Sequence, residues 1–130
     1  MLGDADIFSS FAVNDVERAR QFYSETLRLD VVEVELGTDV PSGLEIHLDD
    51  KARILLYPKD NHVPAEYTVL NFRVANIDRA VDELSSRGVE FEHYDTPPRT
   101  DEKGIHRSPQ VRPVAWFRDP AGNILSLIQT

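Results

Sequence analysis

The chain has no cysteine. That absence excludes disulfide bonds, thiolate metal sites and a cysteine nucleophile together. Tryptophan and methionine occur once each, and no apolar run approaches the roughly 20 residues that a membrane-spanning helix needs. The first residues hold no basic stretch followed by an apolar one, so no secretory signal is expected and a cytoplasmic setting is. Basic residues are scarce: 14 Lys and Arg stand against 23 Asp and Glu, for a net charge of −9 and a pI near 4.8. An acidic chain repels phosphate backbones, so nucleic acid is not an expected partner, whereas a cationic ligand is attracted. Glycine-rich phosphate loops, a nucleophile elbow and a zinc motif of the HExxH type are all missing.

What is there is ordinary in amount and unusual in order. A hydrophobic fraction of 41% over 130 residues suffices for a packed core, so one soluble domain covering 1–130 is expected. Within it the chain repeats itself. Phe11-Ala12-Val13-Asn14-Asp15-Val16-Glu17-Arg18-Ala19 aligns with Phe72-Arg73-Val74-Ala75-Asn76-Ile77-Asp78-Arg79-Ala80, 61 residues on. Each copy reads as a strand, a polar cap and a helix. Ile7–Val13 and Thr68–Val74 are the strands, with Asn14 or Asp15 and then Asn76 or Asp78 as caps. Val16, Ala19, Tyr23 and Leu27 recur at helical spacing, as do Ile77, Ala80, Val81 and Leu84 before the helix stop at Gly88.

Three strands are expected after each helix, from their β-branched and aromatic content: Val31–Leu36, Leu44–Leu48 and Arg53–Tyr57, then Val89–Tyr94, Val114–Arg118 and Ile124–Ile128. The last strands align at an offset of 70, so the second copy carries about nine extra residues. They fall in the Pro-, Arg- and Asp-rich stretch 95–113, expected to be a surface loop of the kind that covers sites. The predicted organisation is α+β, two tandem βαβββ modules at about 5–58 and 67–130 with a linker at 59–66. The turn Asp119-Pro120-Ala121-Gly122-Asn123 precedes the final strand, in which Ser126 interrupts an apolar run.

The doubled βαβββ pattern, the Asp-Pro-x-Gly-Asn turn and the Phe22-Tyr23 pair in the first helix resemble the glyoxalase/bleomycin-resistance/extradiol-dioxygenase superfamily, also called vicinal oxygen chelate proteins. The resemblance implies a curved mixed-sheet half-barrel around a concave site, and a homodimer. It further implies that metal enzymes of the family would place His, Gln or Glu where this chain has Phe8, Leu56, Val69 and Ser126. None of these is a good ligand for a divalent ion, so neither a metal nor another cofactor is expected.

Strand alternation predicts which side chains face away from the helices. Phe8, Ser10, Leu56, Val69, Asn71, Trp116 and Ser126 would then line an apolar trough with a few polar handles, a general description of a small-molecule site. Glu45 and His47 project from one strand face, and His106 lies in the long loop; these three are the candidates for acid–base chemistry. Three functions fit. The first is a metal-free protein that binds a small, cationic or aromatic molecule. The second is a superfamily enzyme, a lyase, isomerase or hydrolase acting on a small carbonyl compound through His47, Glu45 and His106 or a relocated metal. The third is a regulatory module whose trough serves only the contact between two copies.

Overall fold

Asp15 and Asn76 open the two helices by the same device. Each side chain accepts a hydrogen bond at 3.1 Å from a backbone N–H three residues on, that of Arg18 and of Arg79. A short polar oxygen there replaces a helical partner that the first turn lacks. The computed structural model describes residues 1–49 and 51–130. They form two compact units, Met1–Val63 and Pro64–Thr130, each built around one of these helices.

In the first unit, strand β1 (Ser9–Val13) leads into α1 (Val16–Gln21) and on to β2 (Asp30–Val34), β3 (Gly43–His47) and β4 (Arg53–Pro58). The strand order is β1-β4-β3-β2, with β1 and β4 parallel and the other pairs antiparallel. Helix α1 continues as a π-helical turn over Phe22–Thr26, closed by the Leu27 N–H on the Phe22 carbonyl at 2.9 Å. Tyr23 lies in that wider turn and is fully buried, with its ring 6.2 Å from that of Phe11 and 5.2 Å from that of Phe22. Val13, Leu44, Ile46 and Leu56 complete this core.

The second unit repeats the plan with β5 (Thr68–Val74), α2 (Ile77–Ser86), β6 (Ile105–Ser108), β7 (Val111–Arg118) and β8 (Ile124–Gln129). Its order, β5-β8-β7-β6, is that of the first sheet. Helix α2 packs on β7 and β8, burying Ile77 and Val81, and ends before Gly88, whose φ of +92° suits glycine. The result is a two-module α+β fold of two open mixed sheets, neither closed into a barrel. Among the described residues no helix is long and apolar enough to cross a membrane.

Two expectations fail in the second unit. Val89–Tyr94 is not a strand: only Phe91 forms a bridge, to Phe117. The strand corresponding to β2 is β6, inside the stretch expected to be loop, and the insertion precedes it. Val89 and Phe91 are buried, so the alternating pattern correctly marks side chains that pack inward. The backbone there meets the sheet at one place only, because β6 takes the edge of β7.

The final turn explains its own composition. One oxygen of buried Asp119 accepts from the N–H groups of Ala121 and Asn123, both at 2.9 Å, and the other from the Asn123 amide at 3.0 Å. The Gly122 N–H closes the turn on the Asp119 carbonyl at 3.0 Å with φ at +85°. Aspartate, glycine and asparagine are therefore needed here to start β8 in register.

Candidate functional site

Cross-strand register sorts the second sheet into two faces. Phe72, Leu127 and Ala115 share the face toward α2, and so do Leu125 and Phe117. On the opposite face, Asn71, Ser126 and Trp116 form one row across β5, β8 and β7, and His106 of β6 pairs with Val114 of β7. Trp116 is partly exposed and is flanked by two rings, Tyr94 at 5.7 Å and His106 at 6.3 Å between centroids. Ser126 is 1% exposed, and its hydroxyl donates to Asn71 Oδ1 at 2.5 Å. The Ser126 hydroxyl thus has a partner within its own sheet, and the Asn71 NH2 is left to meet a ligand or water.

The segment carrying Tyr94 and His106 is tied down at several points. The Tyr94 N–H donates to Thr100 Oγ1 at 2.8 Å, and His106 Nδ1 donates to the Arg99 carbonyl at 2.7 Å. Both ring nitrogens of His93 face carbonyls, those of Phe91 and Glu102, at 2.9 and 3.1 Å. Gly104 permits this close approach: a Cβ there would stand 2.9 Å from both the Glu92 carbonyl oxygen and Phe91 Cβ.

Asp101 anchors the turn, accepting from the N–H groups of Lys103 and Ile105 at 2.9 Å and from Arg107 Nε at 3.2 Å. Arg107 also reaches Asp78 on α2 at 2.7 Å. Burial opposes ionisation of Asp101, but the Ile105 N–H, the Arg107 guanidinium and the Lys103 N–H outweigh it and hold the carboxyl below its ordinary value. A lowered folded-state value stabilises the fold above the unfolded carboxyl's range, and this stabilisation drains away as pH falls through the lowered value. Asp101→Asn, which keeps an acceptor for both N–H groups, is expected to cost about 1 kcal/mol at neutral pH. It should also flatten the decline of melting temperature below about pH 4. Superimposable acid limbs for the two proteins would contradict this.

In the first unit the open face carries Ser10, Leu55, Glu45, His47 and Arg53, by the same register argument. Leu56, expected on this face, stands on the other: it pairs with Phe11 and Leu44 and is fully buried toward α1. Leu55 takes the place next to Ser10. The expectation carried the repeat across without shifting it by the one residue that inverts a strand's faces. Glu45 and His47 do meet, with His47 Nε2 3.0 Å from Glu45 Oε1. Arg53 lies 3.6 Å from the other Glu45 oxygen, binds Asp6 at 2.6 Å and sits 5.5 Å above the Phe8 ring. The Glu45 carboxylate thus meets His47 at one oxygen and lies at ion-pair distance from Arg53 at the other. His106, the third acid–base candidate, belongs to the other unit.

A hollow of about 470 Å³ lies elsewhere in the second unit, between α2 and residues 89–93, lined by Val81, Asp82, Phe91, His93 and Lys103 among others. It gathers no aromatic row, and Asp82 already pairs with Lys103 at 3.0 Å.

A family model described as the glyoxalase/bleomycin resistance protein/dioxygenase superfamily matches residues 8–127. The chain belongs to this superfamily. Solved structures agree in fold. TnmS3, an antibiotic-binding protein from Streptomyces sp. CB03234, is 24% identical over 97% of each chain, with a TM-score of 0.68. A superfamily member from Sphaerobacter thermophilus DSM 20745 is 24% identical over 97% of this chain and 98% of its own, at 0.70. Lactoylglutathione lyase from Agrobacterium tumefaciens is 18% identical over 97% and 93%, at 0.66. A search of curated proteins found no match.

The superfamily's metal chemistry does not fit the residues present. Of the four positions where the resemblance puts metal donors, Phe8 is exposed beneath Arg53 and Leu56 is buried on the far face. Val69 sits in a bulge between Thr68 and Leu70, and the Ser126 hydroxyl is engaged with Asn71. Among the described residues no three His, Cys, Asp or Glu side chains converge as a metal site would require.

Proposed function

We propose that the chain is a metal-free binding protein for a small aromatic or cationic molecule, held on the open sheet face around Trp116, Asn71 and Ser126. The observation that carries this reading is Ser126: buried and bonded to Asn71, it stands where a metal enzyme of the superfamily would carry a carboxylate. Trp116 with Tyr94 and His106 offers aromatic surface that a flat or cationic ligand can stack on. A net charge of −9 favours a cation further. The fold is shared with an antibiotic-binding protein and also with a lyase, so binding is argued from the residues and not from the fold. Taken by itself, the first unit offers Phe8 and Ser10 as proposed contacts on its own sheet. The reading includes a homodimer in the cytoplasm, and light scattering would report the dimer.

Protein purified without chelator should carry substoichiometric metal by elemental analysis. In a thermal-shift screen of aromatic and cationic compounds, a ligand at 100 times its Kd adds about 2.7 kcal/mol, a rise of roughly 10 °C for a chain of this size. Stoichiometric zinc, nickel, manganese or iron, or no shift with any compound, would overturn the proposal. The Glu45–His47 contact supports a second reading, a superfamily lyase, isomerase or hydrolase acting on a small carbonyl compound. Turnover abolished by His47→Gln would favour it.

A further inference from the structure

We propose that His106 makes the Trp116 face selective for flat aromatic molecules that carry a hydrogen-bond donor, a phenolic O–H or a ring N–H. This rests on the binding reading above and specifies its ligand class. A backbone carbonyl can only accept, so the 2.7 Å contact with Arg99 fixes the proton of neutral His106 on Nδ1. Nε2 then holds a lone pair, and it has no partner among the described residues. The ring is partly exposed, tilted 35° to the Trp116 indole at 6.3 Å. That ring separation sets a molecule stacked on the indole beside the His106 ring.

Of the neighbouring side chains, the Tyr94 hydroxyl can both donate and accept, whereas His106 Nε2 offers a lone pair with no proton of its own. The nearest ring is Tyr94, and Arg107, next along β6, is committed to Asp78 and Asp101. At the other end of the row, the Asn71 NH2 is a donor, since its oxygen is taken by Ser126. The face therefore presents an acceptor at His106, a stacking plane at Trp116 and a donor at Asn71, with the Tyr94 hydroxyl beside the indole. A ligand whose edge is an ether or a hydrocarbon would bury Nε2 without a partner, which weakens binding.

The experiment compares 2-naphthol with 2-methoxynaphthalene, in which a methyl group replaces the donor hydrogen, and reads the change in their affinity ratio between proteins. The single tryptophan gives a single indole N–H cross-peak in a nitrogen-15 correlation spectrum, so titration of that peak reads occupancy at Trp116. Naphthol should bind about three- to tenfold more tightly than its methyl ether. In His106→Phe, which keeps a ring beside Trp116 but has no lone pair, naphthol's advantage over its ether should be lost. His106→Ala serves as a second variant if the larger ring distorts the sheet, and the dispersion of the remaining spectrum shows whether each variant is folded. Equal binding of the two probes to the unaltered protein would overturn the selectivity and leave the binding reading intact. Failure of both probes to move the indole peak would overturn both.

Discussion

Phe117→Ala is expected to destabilise the second unit by about 3–5 kcal/mol, the usual cost of emptying a buried phenylalanine site. Phe117 is fully buried on the α2 face of β7, opposite Leu125, with its ring 5.4 Å from that of Phe91. Its neighbours belong to a pleated sheet and cannot collapse far into the space left behind. The loss should also reach the other face. Phe91 is held by Phe117 through both the ring contact and the bridge, and the Glu92 N–H donates to the Trp116 carbonyl at 2.8 Å. Loosening Phe91 therefore loosens the segment that carries Tyr94 and, through Gly104, the turn before His106. Urea unfolding should show the midpoint falling with little change in slope. The indole cross-peak of the folded variant should shift as well. A cost below about 1 kcal/mol would mean that this face is not the core it is argued to be.

The doubled architecture was legible because it is written in local chemistry. Asp15 and Asn76 cap helices at matching places, and alternation in Thr68–Val74 marks a strand whose bounds agree with the structure to the residue. The open-face placement of Asn71, Trp116 and Ser126 follows from the same alternation, as their register confirms. Pairing partners were less legible. Ile105–Ser108 is too short and too polar to announce itself, and nothing local says that it, rather than Val89–Tyr94, takes the edge of β7. Leu56 failed for a related reason: a strand's identity is local, but its face depends on a register set by a partner distant in sequence. The hydrogen bonds that define the site's chemistry were invisible. No pattern foretells that Arg99 offers its carbonyl to His106 or that Ser126 turns to Asn71.

Ser126→Glu tests the metal-free reading through stability. The substitution restores the carboxylate that the resemblance would place there, but at a position 1% exposed. Two costs arise. The longer side chain overfills the site, at about 1–3 kcal/mol, and an unpaired buried carboxylate adds several kcal/mol more. Ser126→Gln carries the first cost without the second, so the difference between the variants isolates the charge. Burial raises the folded-state pKa of such a carboxyl. Its penalty is therefore complete above that raised value, and it is relieved as pH falls toward the unfolded range near 4.3. If a cation-binding wall were present around it, excess zinc, nickel or manganese would pair with the charge and return the stability lost. The neighbours of Ser126 across the sheet, Asn71 and Trp116, supply no second carboxylate, and a single carboxylate holds a divalent ion poorly against water. The melting temperature of Ser126→Glu should therefore lie well below that of Ser126→Gln at neutral pH, with or without metal. Recovery on adding one equivalent of a divalent ion would show that this wall coordinates metal after all, the new carboxylate being joined by further donors.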